Sequence, residues 1–266
     1  MHNFDLESFQ KGCILRQREL ARRRVSEDCF GFILDDLEYT LKFVGGCDLS
    51  FFPDDSDSAI ACLVVLAYPS LQVVYKKIEK VKLEIPYISG FLAFREEKHI
   101  SKLLMDLKME NIQIYPQLLF VDGNGTLHKE KFGVACHIGV VNDIPTIGCG
   151  KKLLGKINMD EIIIEKPINT VIPEEGIDLN YIKEREDELN KVGNFIFLKG
   201  KKDSFVYGSA VKSSLSKNCQ FISPGHRVSN VTAVQLTLKL SKYRVVEPIR
   251  QADLLSREAI RKMSQD

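Results

Sequence analysis

Residues 41–68 read L-K-F-V-G-G-C-D-L-S-F-F-P-D-D-S-D-S-A-I-A-C-L-V-V-L-A-Y, two apolar runs hinged at P-D-D-S-D (53–57). Runs of this length, broken by Pro and Asp, predict two antiparallel strands joined by a turn. Val73 to Leu83 alternates in part and extends the pair to a meander of three strands. The pattern then changes. Glu96 to Met109 has helical spacing through Ile100, Leu103, Leu104 and Leu107, and L-L-F-V-D (118–122) is a short buried strand. Residues 131–142 suit a helix, and P-T-I-G-C-G (145–150) suits another strand. A meander followed by strand–helix alternation predicts an α/β fold: a mixed sheet, antiparallel then parallel, flanked by helices.

Outside this centre, residues 5–24 read as a helix with Leu6, Phe9, Cys13 and Leu20 near one face and Arg16, Arg18, Arg22, Arg23 and Arg24 solvated. Residues 155–192 break the pattern with Lys-Pro and Pro-Glu punctuation and the charged run K-E-R-E-D-E-L-N-K (183–191). They read as a surface insertion in a single domain spanning residues 1–266. Strand-like runs return at 194–199 and 204–211, Ser229 to Tyr243 follows as a helix, and 251–262 form a short amphipathic tail.

At 266 residues the chain can bury a sizeable core without disulfide staples. Apolar residues make up 44% and charged residues 27%, which excludes wholesale disorder. The 37 Lys and Arg nearly cancel the 36 Asp and Glu, so nucleic-acid binding has to come from local patches such as Lys76, Lys77, Lys80 and Lys82. Seven Cys without C-x-x-C spacing predict reduced thiols. No secretory pattern opens the chain, and the longest apolar run falls well short of the ~20 residues of a membrane helix. The expectation is a soluble protein of the cytoplasm, with the nucleus or nucleolus as further locations, and with neither a membrane nor an obligate protein partner.

Chemistry is carried by carboxylates. Asp48 sits inside an apolar run, where an unpaired charge is costly, so it needs a cation, a metal or donors nearby. Asp122 ends the run L-L-F-V ahead of G-N-G, where α/β folds place ligand groups. Glu96 lies in F-L-A-F-R-E just ahead of the expected helix, and His226 lies in S-P-G-H-R, read as a turn. Singly, each has an ordinary reading as a cap or a surface group. Together they form an oxygen-rich set suited to Mg²⁺ or Mn²⁺. No zinc spacing, phosphate-binding G-x-x-x-x-G-K-[ST] or G-x-S-x-G elbow occurs, and Asp54, Asp55 and Asp57 lack EF-hand spacing.

The order of six segments is more specific than any one of them. G-G-C-D-L-S (45–50), P-Y-I-S-G-F-L-A-F-R-E (86–96), F-V-D-G-N-G (120–125), H-K-E-K-F-G-V-A-C-H-I-G-V (128–140), P-T-I-G-C-G-K-K-L-L (145–154) and S-P-G-H-R (223–227) resemble, in sequence, the inosine-directed endonuclease V family. The tail E-P-I-R-Q-A-D-L-L-S-R-E-A-I-R-K (247–262) resembles its animal branch. The resemblance implies a ribonuclease H-like fold. It implies metal ligation by Asp48, Glu96, Asp122 and His226, with Mg²⁺ as cofactor and Mn²⁺ as a substitute, and it sets Lys151 beside the scissile phosphate. Tyr87 falls on the wedge that fills the space of the displaced base. Gly90, Leu92, Gly123, Gly133 and Val134 fall on the base pocket, and His128 and His137 on histidines near it. Ser89 stands where the DNA-cutting bacterial members carry a second proline, as in the animal members that favour RNA. The implied activity is a metal-dependent endoribonuclease cutting single-stranded RNA at the second phosphodiester 3′ to inosine, leaving a 5′-phosphate and a 3′-hydroxyl. The alternatives are DNA repair at deoxyinosine and a non-catalytic inosine-RNA binding protein.

Overall fold

The computed structural model of the chain describes residues 5–151, 162–165, 189, 191–200 and 205–265. Strand β1 (Phe43–Phe52) organises it. β2 (Asp55–Ala67) returns antiparallel with Asp48 opposite Cys62, and β3 (Gln72–Lys82) pairs with β2, so the expected meander forms. On its other edge β1 runs parallel to β4 (Leu118–Asp122), which runs parallel to β5 (Thr146–Gly150). β9 (Gln220–His226), β8 (Val206–Val211), β7 (Phe195–Gly200) and β6 (Ile162–Glu165) complete one nine-stranded sheet in the order β3-β2-β1-β4-β5-β9-β8-β7-β6. Val44–Ser50 of β1 and Ala59–Leu66 of β2 are buried on both faces, which is why these stretches are largely apolar rather than alternating.

Parallel neighbours need crossovers, and helices supply them. α3 (Leu92–Glu110) links the meander to β4, and α4 (Val134–Asn142) links β4 to β5. Leu103, Leu104 and Leu107 of α3 pack on Leu63, Val65, Leu119 and Val121 on one face of the sheet. The other face is covered by α5 (Asn230–Lys239) and α6 (Glu247–Met263), with Leu236, Ile249 and Ala252 against Val44, Val64 and Phe120. α1 (Leu6–Ala21) lies against α4 through Leu20, Phe132, Cys136 and Val140, and α2 (Leu37–Thr40) leads into β1.

α6 lies so close to β1 that only glycine fits beneath it. A Cβ on Gly46 would meet the Pro248 backbone at 2.3 Å. Of the expected insertion, Ile162–Glu165 forms β6, an edge strand antiparallel to β7; most of the remainder lies outside the described residues. Among the described residues no helix is long and apolar enough to cross a membrane.

Candidate active site

Strand register builds the acidic centre. Cys47 of β1 pairs with Val121 of β4, so the next residues, Asp48 and Asp122, come side by side at the same end of the sheet. Docking of α6 on Gly46 brings a third carboxylate, Asp253, and oxygens of Asp48, Asp122 and Asp253 all lie within 4.8 Å of one another. The hydroxyls of Ser50 and Ser256 each lie 3.2 Å from Asp48 Oδ2 and hold that carboxylate in place. Lys151, just beyond β5, donates from Nζ to Asp122 Oδ2 at 2.7 Å and to Asp253 Oδ1 at 3.0 Å.

Glu96 approaches from α3. The sequence reading sets it just ahead of the helix, but α3 begins at Leu92, so Glu96 lies within the helix and its carboxyl is buried. Burial, then the charges of Asp48 and Asp122, push its pKa well above the usual carboxylate range. Asp48 is pushed up to about 7, chiefly by burial, with the charge of Asp122 adding and Lys151 opposing. Burial works against the charge of Lys151, but Asp122 and Asp253 outweigh it and hold its amine above the ordinary lysine range. One lysine thus faces more negative charge than it can balance. Hard oxygen donors converging in a partly buried site fit a divalent cation of the Mg²⁺ or Mn²⁺ kind.

A second depression adjoins this centre. Its walls come from the loop before α3 (Tyr87, Gly90, Leu92), the turn after β4 (Asn124, His128) and the start of α4 (Gly133, Val134). A cleft of about 310 Å³ joins the two, running past Tyr87, Leu92, Gly123 and Asn124 to Asp48, Glu96, Asp122 and Lys151. Tyr87 leaves 64% of its surface exposed, so its ring stands free beside the pocket instead of packing into the core. Gly90 has φ +87°, backbone that favours glycine. His128 Nδ1 accepts from the Glu130 amide, so Nε2 carries the hydrogen and donates to the Gly90 carbonyl at 2.9 Å.

Three expected site residues lie elsewhere. Ser89 is exposed on the loop beside Tyr87 and does not line the pocket. His137 sits behind it, edge-on to Phe94 at 5.2 Å and tilted against Phe132 at 6.0 Å. Burial, helped by Arg16, pulls its pKa down to about 4, so at neutral pH it is an uncharged packing group. The expectation for His226 needs correction. S-P-G-H is not a turn but the end of β9, and His226 pairs with Thr146, the first residue of β5. The acidic centre lies beyond the last residue of β5, at the opposite end of the ladder. Its imidazole is also engaged, accepting from the Val25 amide at Nδ1 (3.1 Å) and facing Asp143 with Nε2 (3.5 Å). The register of β5 and β9 shifts between Thr146 and Ile147, and this irregularity accommodates the Pro and Gly that read as a turn.

Asn124, Asp253 and Gln17 escaped the sequence reading, and the last two left a signal there. Asp253 shares helical spacing with the buried Ile249, Ala252 and Ser256, a carboxylate on a face that should have been apolar. Gln17 lies on the buried face of α1 with Cys13 and Leu20, and it too lines the pocket.

The family model described as Endonuclease V matches residues 32–254. A human protein called Endonuclease V is 40% identical over 252 residues, covering 93% of this chain and 83% of its own length. The crystal structure of the catalytic domain of human Endonuclease V superposes with a TM-score of 0.86 at 38% identity, covering 97% of this chain and 98% of that one. The Ciona intestinalis Endonuclease V, crystallised with a 24mer DNA containing an inosine followed by a ribo-adenosine, gives a TM-score of 0.81 at 31% identity, covering 97% of this chain and 99% of that one.

Proposed function

The chain belongs to the endonuclease V family, and from that premise we propose that it is a Mg²⁺-dependent endoribonuclease. It cuts single-stranded RNA at the second phosphodiester 3′ to inosine, leaving a 5′-phosphate and a 3′-hydroxyl. One observation carries the reading: a small pocket edged by the exposed Tyr87 opens through one cleft onto the centre of Asp48, Asp122, Asp253, Glu96 and Lys151. A nuclease that reads one base and cuts at a neighbouring phosphate needs this separation.

Asp48, Asp122 and Asp253 would hold the cation, with Glu96 alongside. When bound, it supplies an acidified water and stabilises charge on the phosphoryl and leaving 3′ oxygens. The chain's own groups do the rest. Lys151, held by Asp122 and Asp253, keeps a positive charge at the lip of the centre, where negative charge grows on the phosphate. Tyr87 stacks in place of the displaced base, and a single-stranded target removes most of the unstacking cost. Backbone at Gly90, Leu92, Gly123, Gly133 and Val134 presents amides and carbonyls to the purine edge. His128, fixed on Gly90, maintains the loop.

RNA is the favoured substrate because Ser89 replaces a stiffening proline beside the wedge. The DNA bound by the Ciona relative, moreover, carries a ribose directly after inosine. A site built around a 2′-hydroxyl penalises its loss, because its own polar groups are left unpaired. The test is cleavage of matched inosine-containing RNA and DNA oligonucleotides with the cut mapped at nucleotide resolution. RNA cut at least tenfold faster, directly on the 3′ side of the nucleotide that follows inosine, supports the reading; equal rates make the protein a DNA repair nuclease. Binding with no turnover in Mg²⁺ or Mn²⁺ would make it a binding protein.

A further inference from the structure

The pocket beside Tyr87 has a wall from a part of the chain distant in sequence. Gln17 of α1 is 1% exposed, yet it lies among residues that line the pocket. Its Nε2 donates to the Gly90 carbonyl at 3.3 Å and to the Phe132 carbonyl at 3.2 Å, reaching 73 and 115 residues along the chain. Gly90 belongs to the loop that enters α3, and Phe132 precedes Gly133, the N-cap of α4. One carboxamide therefore ties together the two backbone segments between which the pocket lies. The Gly90 carbonyl also accepts from His128 Nε2, so two donors fix its peptide plane. The other end of the carboxamide is different: Gln17 Oε1 is buried with no hydrogen-bond partner. A buried acceptor without a donor is costly, and a pocket-lining residue that carries one is poised for a donor from a ligand.

We propose that Gln17 is a specificity-determining residue of the base pocket, holding its two walls at a fixed width through Nε2 and offering Oε1 to a purine lactam N–H. Hypoxanthine has a hydrogen on N1, whereas adenine has a lone pair there that would face the Gln17 oxygen. The inference rests on the inosine reading above and adds a residue to it. The tie through Nε2 accounts for one end of the carboxamide; the unpartnered Oε1 is the end that a ligand donor would complete.

The test uses the full chain and single-stranded oligoribonucleotides that differ only in inosine or adenosine at one position. Binding is measured in EDTA, cleavage in Mg²⁺ and folding by thermal denaturation. Gln17→Met, close in shape but without hydrogen-bonding groups, should lower the inosine-over-adenosine binding ratio at least tenfold. It should raise KM for inosine RNA by a similar factor and leave kcat within about twofold, because the acidic centre lies outside this wall. Gln17→Asn, which keeps the carboxamide on a shorter stem, should recover part of the ratio. It carries the same comparison should Gln17→Met fail to fold. A wild-type preference for inosine that survives unchanged in a folded Gln17→Met overturns this proposal alone. A wild-type chain without that preference overturns the parent reading and this one with it.

Discussion

Gly46→Ala tests how the active site is assembled. The added methyl would lie 2.3 Å from the carbonyl carbon and oxygen of Pro248 and 2.7 Å from its Cβ, about 1 Å inside ordinary carbon contact. Backbone cannot rotate away, so α6 must shift outward by roughly that amount. Overpacking of this kind costs about 1–3 kcal/mol, a loss that a domain with ~5–15 kcal/mol of stability survives. α6 also carries Asp253 and Ser256 to Asp48 and Lys151. A displacement of ~1 Å in a positioned group is worth on the order of 10²-fold in rate. The variant should therefore melt several degrees lower yet be fully folded at 25 °C, where its turnover of inosine RNA falls about a hundredfold. Melting curves and single-turnover cleavage on the same sample decide the matter. Wild-type turnover alongside a lowered melting temperature would refute the idea that α6 docking sets the carboxylate geometry. Unchanged stability would refute the contact itself.

Asp48→Asn, Asp122→Asn and Asp253→Asn should each lower turnover by at least about 10²-fold with far from additive combinations, since they serve one centre; His226→Asn should leave the metal requirement untouched and only lower stability. EDTA should abolish cleavage, and Mg²⁺ or Mn²⁺, but not Ca²⁺, should restore it. Because burial raises Asp48 to about 7 from its ordinary 3.8, the metal-free protein should lose stability as pH rises from about 4 through 7, so Mg²⁺ should raise the melting temperature more at pH 8 than at pH 5.5; an equal rise at both would contradict the placement of that charge. Tyr87→Ala should weaken binding of inosine RNA by ~1–3 kcal/mol while leaving adenosine RNA nearly unchanged, and an equal loss on both would make Tyr87 a packing group.

The sequence displayed the sheet clearly where burial was two-sided. The buried stretches of β1 and β2 are predominantly apolar, with a Pro-Asp turn between them, and that pattern suits an antiparallel pair. The short strands β4 and β5 were legible for the same reason, and the carboxylate of Asp122 was conspicuous at the end of one of them. Local punctuation misled where tertiary structure absorbs it. Pro224 and Gly225 imitate a turn, yet the irregular register against β5 holds both inside a strand and takes His226 away from the centre. The helix holding Glu96 begins a turn earlier than its spacing suggests, at Leu92, and its N-cap Phe91 offers no capping side chain to mark the start. Asp253 and Gln17 illustrate the harder limit. Each is a polar residue on an apolar helix face, and what it serves becomes visible only when α6 meets β1 and α1 meets the loops before α3 and α4. Lys77 shows the converse: in the sequence it could equally follow a nucleic-acid backbone or lie on a solvated face, and it is paired with Asp106 and Glu110 on the surface.

The central claim is that one cleft reads inosine at one end and cuts a ribose-bearing strand at the other. The most direct measurement is single-turnover cleavage of a set of identical single strands in Mg²⁺: all-RNA with inosine, all-DNA with deoxyinosine, that DNA with one ribose restored next to the scissile phosphate, and the RNA with adenosine in place of inosine. The account predicts a single cut at the second phosphodiester 3′ to inosine, at least tenfold faster in RNA than in DNA, with most of the difference recovered by the single ribose and no cut in the adenosine strand. Equal cleavage of the inosine and adenosine RNAs, or a cut scattered along the strand, would contradict it.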